Sequence, residues 1–140
     1  MIDPASFRDP SGYVFRRDGV LYRAIQPVAT ADWTAFEERG LAAALIRDGL
    51  LVSHAPVPLD LAPLPGAAFV IRPRELALIS YPYEWAFSQL REAALLTLEV
   101  QRRALAVGMW LRDASAYNVQ FDRGRPILID SLSFEVADPT

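Results

Sequence analysis

The sequence predicts an α+β chain in which a small antiparallel sheet with one helix precedes a mainly helical part. Three observations predict it. Two apolar-rich runs, Tyr13–Arg17 and Val20–Ile25, meet at Asp18-Gly19. A helical pattern covers residues 31–48, and a longer one covers 86–107. Two short apolar runs, Val119–Phe121 and Ile127–Ile129, close the chain. Hydrophobic residues make up 52% of the 140 residues, enough to bury a core and to exclude global disorder. The expected organisation is sheet and helix over 1–80, a connector over 81–85, and a helix, loop and hairpin over 86–140.

Asp-Gly between alternating apolar runs is a strong hairpin signal, because a type I′ turn needs positive φ at both central residues. Pairing across it sets Arg17 opposite Val20, Phe15 opposite Tyr22 and Val14 opposite Arg23. In the first helix Trp33, Phe36, Leu41, Ala44 and Leu45 share a face, with Thr30 or Asp32 as the cap. Gly40 weakens that helix by roughly 1 kcal/mol relative to alanine, and Gly49 ends it. Residues 54–66 carry four prolines and read as an extended connector. Ala67–Arg72 and Leu76–Tyr81 read as two strands around Pro73-Arg74. The long helix is apolar on two faces, Phe87, Leu90, Ala94, Leu98 and Leu105 on one and Leu96, Val100 and Val107 on the other. So wide an apolar arc predicts a buried helix, which Gly108 ends.

Composition excludes several functions. Net charge is −3, from 17 acidic and 14 basic residues, and no basic stripe marks a nucleic-acid surface. Cysteine is absent, which removes disulfides and thiolate metal sites. The single histidine, His54, sits beside the proline-rich stretch and reads as an ordinary surface or loop residue. No apolar run is long enough for a membrane span and the N-terminus lacks signal-peptide character, so the expected location is the cytoplasm. Every basic residue is arginine; lysine is absent.

The stretch richest in chemistry is Leu111 to Asn118, followed by Ile129-Asp130. Asp113 and Asn118 are five residues apart, just after the long helix. A three-residue loop at Arg123-Gly124-Arg125 pairs Phe121 with Ile127, Val119 with Ile129 and Asn118 with Asp130. Directly opposed residues point to one face, with Cβ atoms about 5 Å apart. A carboxamide oxygen and a carboxylate so placed suit Mg²⁺, which takes hard oxygen ligands together with substrate phosphates. Asp113 enters the same end and is positioned to orient or deprotonate an attacking hydroxyl.

These residues resemble the protein-kinase superfamily. Arg112-Asp113 followed by Asn118 is similar to that family's catalytic loop, and Asp130 at a strand end is similar to the aspartate of its Asp-Phe-Gly motif. The looser aminoglycoside-phosphotransferase-like kinases are the nearer match. The resemblance implies a protein-kinase-like α+β fold with a truncated helical lobe, and Mg²⁺ and ATP as cofactors. It implies Asp113 as catalytic base and Asn118 and Asp130 as metal ligands. It makes Ser80–Trp85 the hinge that meets adenine, and residues 31–48 the counterpart of the regulatory helix. Tyr81, Tyr83 and Trp85 are then either an adenine wall or core packing where two parts meet. Leu111 replaces the family's histidine, Ser131-Leu132 replaces Phe-Gly, and the first hairpin has no glycine-rich loop. In place of the phosphate-pairing lysine, the nearest candidate is Arg23, with Glu37 or Glu38 as its partner; arginine presents a planar fork rather than a point charge.

A second resemblance covers more of the chain. Asp9–Phe15, Ile79–Trp85 and Leu111–Phe121 look like the N-terminal region of bacterial SAM-dependent methyltransferases. That resemblance implies a non-catalytic accessory module, with a C-terminal methyltransferase domain or a protein as its partner. No glycine-rich strand-to-helix turn is present, so SAM itself is not expected to bind here. A third reading, a structural fragment without ligand, predicts an exposed apolar face.

Overall fold

The computed structural model describes residues 10–76 and 79–137. The chain forms two compact units, Met1–Ala31 with Ser53–Glu75 and Asp32–Val52 with Leu76–Thr140. The helical segment after Asp32 thus belongs with the long helix, not with the sheet.

The first unit is a four-stranded antiparallel sheet. Strands β1 (Gly12–Arg17), β2 (Val20–Ile25), β3 (His54–Val57) and β4 (Phe69–Pro73) lie in the order β1-β2-β4-β3. The β1–β2 register is the expected one, Arg17 opposite Val20 and Val14 opposite Arg23. Asp18 and Gly19 hold φ of 52° and 79°, the double left-handed step of a type I′ turn. One row of directly opposed residues crosses the sheet: Tyr13, Ala24, Val70 and Val57. Tyr13, Ala24 and Val70 are buried there together with Phe15, and Val57 packs against them. Phe15 stacks on Tyr22 with ring centroids 5.4 Å apart.

The expected proline-rich connector contains β3. Its Pro56 is tolerated because β3 is an edge strand, whose outward side needs no ladder donor. His54 accordingly starts a strand opposite Pro73 and is half-buried. The strand expected over Leu76–Tyr81 includes Ala77 and Leu78, which lie outside the described residues; Leu76 and Ile79–Tyr81 carry no strand.

The second unit holds the helices. The single helix expected over 31–48 is two, α1 (Thr30–Glu38) and α2 (Leu41–Arg47). Gly40, at φ 78°, is where the helix breaks: the left-handed step ends α1 and re-aims the chain. The neighbouring Arg39 then reaches the far end of α3 (Phe87–Ala106). Its Nη1 donates to the carbonyls of Val107 at 2.9 Å and Gly108 at 3.3 Å. Those carbonyls have no partner within the helix, and a cation suits that end of its dipole.

Strand β5 (Met109–Leu111) pairs with β8 (Phe134–Val136), and β6 (Val119–Asp122) pairs with β7 (Arg125–Leu128). Phe36 of α1 stacks on Phe134 with centroids 4.6 Å apart. Leu96, Val100 and Ala104 of α3 are buried, but the face made by Phe87, Leu90, Leu98 and Leu105 is exposed. The expectation of a helix buried all round is therefore corrected to one stripe in and one stripe out. Among the described residues, no helix is long and apolar enough to cross a membrane.

Candidate functional site

The loop after β5 is built by short-range hydrogen bonds. Asp113 Oδ1 accepts from the Ser115 N–H at 2.9 Å, and Ser115 Oγ accepts from the Tyr117 N–H at 3.2 Å. Both are turns of the kind aspartate and serine form with nearby backbone. Asn118 Nδ2 then donates to the Asp113 carbonyl at 3.3 Å, closing the loop. Asp113 and Asn118 are thereby brought together, Asp113 exposed and Asn118 half-buried.

Asp130 is placed differently. The turn joining β6 to β7 has two residues, Arg123 and Gly124, not three; their φ values are 53° and 79°. Asp122 pairs with Arg125 and Val119 with Leu128. Every pair is therefore shifted by one from the expected register. The Ile129 N–H donates to the Asn118 carbonyl at 2.9 Å, so Ile129, not Asp130, stands across from Asn118. Because side chains alternate faces, a slip of one residue removes the direct opposition of carboxamide and carboxylate. Arginine disguised the turn: a non-glycine residue in the left-handed region is uncommon.

The Asp130 carboxylate instead organises the segment after it. Oδ1 accepts from the Leu132 N–H at 2.9 Å and Oδ2 from the Ser133 hydroxyl at 2.6 Å. Among the described residues, no group of three or more histidine, cysteine, aspartate or glutamate side chains gathers as a metal cluster would.

The connector after Ile79 is held by a residue that sequence reasoning missed. Gln120, buried at 4% exposure on β6, accepts from the Ser80 N–H at 2.9 Å through Oε1. Its Nε2 donates to the Ser80 carbonyl, also at 2.9 Å. One carboxamide thus takes both backbone groups of one residue. Its only sequence signal is a polar side chain between the apolar Val119 and Phe121. Trp85 completes the joint: Nε1 donates to Ser80 Oγ at 2.9 Å, and its ring meets Phe121 edge-on, centroids 5.0 Å apart. Of the two readings of the aromatic cluster, Trp85 is core packing. Tyr81 and Tyr83 are exposed at 48% and 79% and lie parallel, centroids 5.7 Å apart.

Arg23 is half-buried on β2 between Val14 and Ile71. Glu37 is exposed on α1 and belongs to the other unit. Beside the Asp113 loop, an apolar groove of about 350 Å³ runs along α3. Leu90, Ala94, Thr97 and Leu98 form one wall, and Ala114 and Ala116 of the loop line the other.

Fold and loop together define an α+β chain with a closed, internally bonded aspartate–asparagine loop beside an open apolar groove. No protein-family model matches it. It is similar to Nodulation protein NoeA of Rhizobium meliloti (strain 1021), 39% identical over 132 residues. That match takes in 93% of this chain but only 27% of NoeA, so the chain spans about a quarter of that curated relative's length.

Proposed function

We propose that this chain is a non-catalytic accessory module of a longer polypeptide, of the kind the sequence resemblance attaches to SAM-dependent methyltransferases. The observation that carries the reading is the match to NoeA, which runs over 93% of the chain and 27% of the relative. The joint at Ser80 supports it. Within the expected hinge Ser80–Trp85, the backbone N–H and carbonyl of Ser80 are already bonded to Gln120. The missing lysine and the one-residue shift of the β6–β7 register point the same way.

A second reading is favoured by one contact, the Asn118–Asp113 hydrogen bond, which sets two candidate groups on one accessible loop. In that reading the chain is a divergent kinase-like domain binding Mg-ATP. Asn118 and Asp130 would hold Mg²⁺, which supplies charge neutralisation to the phosphates. Asp113 would orient or deprotonate an acceptor hydroxyl, Arg23 would meet phosphate, and Tyr81 and Tyr83 would flank the base.

Thermal unfolding with and without Mg-ATP separates the two. A ligand present at about 100 times its dissociation constant stabilises its target by roughly 2.7 kcal/mol. The module reading expects no shift with Mg-ATP or with SAM, and no phosphate release. A Mg-ATP shift retained in Arg123→Ala but lost in Asn118→Ala overturns it in favour of the kinase-like reading.

A further inference from the structure

One face of the four-stranded sheet is sealed by chain that belongs to no strand. Tyr13, Phe15, Ala24 and Val70 line that face, each 3% exposed or less. Between Val57 and Phe69 the chain makes a single 3₁₀ turn, Leu59–Leu61, and no strand. From this run Ala62 and Ala67 pack onto the buried row. Residues 58–66 thus lie over the sheet as a strap, outside its ladder of hydrogen bonds.

The strap is lightly fastened. It offers the buried row small alanine side chains, while its larger Leu59 and Leu64 stand 53% and 42% exposed. Two of its backbone hydrogen bonds run within the strap, from the Leu61 N–H to the Pro58 carbonyl and from the Ala62 N–H to the Leu59 carbonyl. The sheet grips it through Arg17 at the end of β1. Arg17 Nη1 donates to the Leu61 carbonyl at 2.8 Å and to the Asp60 carbonyl at 3.4 Å. Both bonds are exposed, where water competes for the donor and the acceptors.

Closure also carries a penalty. The Tyr13 hydroxyl is buried and has no hydrogen-bond partner among the described residues. A phenol sealed from water without a partner disfavours the closed state, and opening returns it to water. Pro58, Pro63 and Pro65 stiffen the strap, so it swings as a piece. Gly66, at φ 97°, supplies the joint at one end.

We infer that residues 58–66 are a hinged cover, latched by Arg17 and opposed by the buried Tyr13 hydroxyl, that opens this face of the sheet without unfolding its strands. The device lies wholly within one unit and holds under either functional reading.

Cysteine labelling tests it, because the chain has no cysteine of its own. Val70→Cys lies beneath the strap, and Ile71→Cys lies on the opposite face of the same strand; both parent side chains are 2% exposed. Where opening and closing outpace modification, the maleimide rate follows the open population. Arg17→Met is expected to speed labelling of Val70→Cys by at least about threefold and to leave Ile71→Cys unchanged. Tyr13→Phe is expected to slow labelling of Val70→Cys by at least about threefold, because it removes the orphaned hydroxyl and keeps the ring. Opposite signs from the two substitutions, confined to the strap side, are the signature of the cover. No acceleration by Arg17→Met overturns the inference, as does equal acceleration at both sites, which is loosening of the whole sheet. Labelling of Val70→Cys that is as fast or faster with Tyr13→Phe also overturns it. Should Val70→Cys fail to fold, Ala24→Cys and Ile25→Cys, on opposite faces of β2 and both inaccessible in the parent, replace the pair.

Discussion

The two faces of α3 are built from the same residue types and meet opposite fates. Leu96, Val100 and Ala104 are nearly inaccessible, whereas Leu90, Leu98 and Leu105, on the other side of the same turns, stand in solvent. Leucine's transfer free energy is the same on both sides. What differs is whether another element lies within reach. The buried side of the helix lies where α3 packs against α2, β5 and β7; the exposed stripe borders the Asp113 loop. An apolar stripe is thus a demand for a partner, and the fold of this chain meets the demand on one side.

Four measurements break or sharpen that contrast. Leu96→Ala, at 5% exposure, is expected to cost about 2–5 kcal/mol in urea unfolding, from lost transfer energy and the cavity left behind. A cost below 1 kcal/mol, on the order of a surface change, would mean the inner stripe is not core.

Next in size is Gln101→Ala. The Gln101 carboxamide accepts from the Leu111 N–H at 2.7 Å and donates to the Leu111 carbonyl at 3.3 Å, fastening β5 to the helix. Loss of both bonds is expected to cost about 1–2 kcal/mol, read from the same unfolding curves.

The third measurement is of pH. The Arg102 and Arg103 guanidiniums hold the Glu99 carboxyl at about 2, below its usual value of 4.5. Hydrogen bonds from Arg47 and then Arg103 hold Asp48 at about 2 rather than 3.8. Both values are depressed on folding, so the stability they add is complete above about pH 5. It is lost as the pH falls through 4 towards 2. The cluster lies at the surface, so the loss should be small and should shrink further in 1 M salt. Arg103→Met should flatten the acid limb of a plot of melting temperature against pH; an unchanged limb would rule the cluster out as its source.

The smallest effect belongs to Leu98→Ala, expected within about 0.5 kcal/mol of the parent chain. If it matched Leu96→Ala instead, the outer stripe would already be covered in the isolated protein.

Much of this architecture could be read beforehand, and the failures have local causes. The Asp18-Gly19 hairpin was legible to the register because both residue types favour positive φ. The Arg123-Gly124 hairpin has the same turn, but arginine gives no such signal, and the pairing came out one residue off. That slip is what displaces Asp130 from Asn118. The extent of α3 was legible from its period, whereas which of its apolar faces turns inward depends on elements distant in sequence. Strand β3 was hidden by Pro56, because proline argues against a strand unless the strand is known to be an edge. The loop that joins Asp113 to Asn118 was correctly located, but the carboxylate of Asp130 bonds its own successors, a use that spacing alone does not reveal.

The hold of Gln120 on Ser80 has a chemical corollary. A carboxamide serves there because it carries an acceptor and a donor side by side; a glutamate of the same length keeps the acceptor and keeps a donor only while protonated. Hydrolysis of that one amide would leave an anion facing the Ser80 carbonyl, turning a permanent fastening into a latch that acid closes and neutral solution opens.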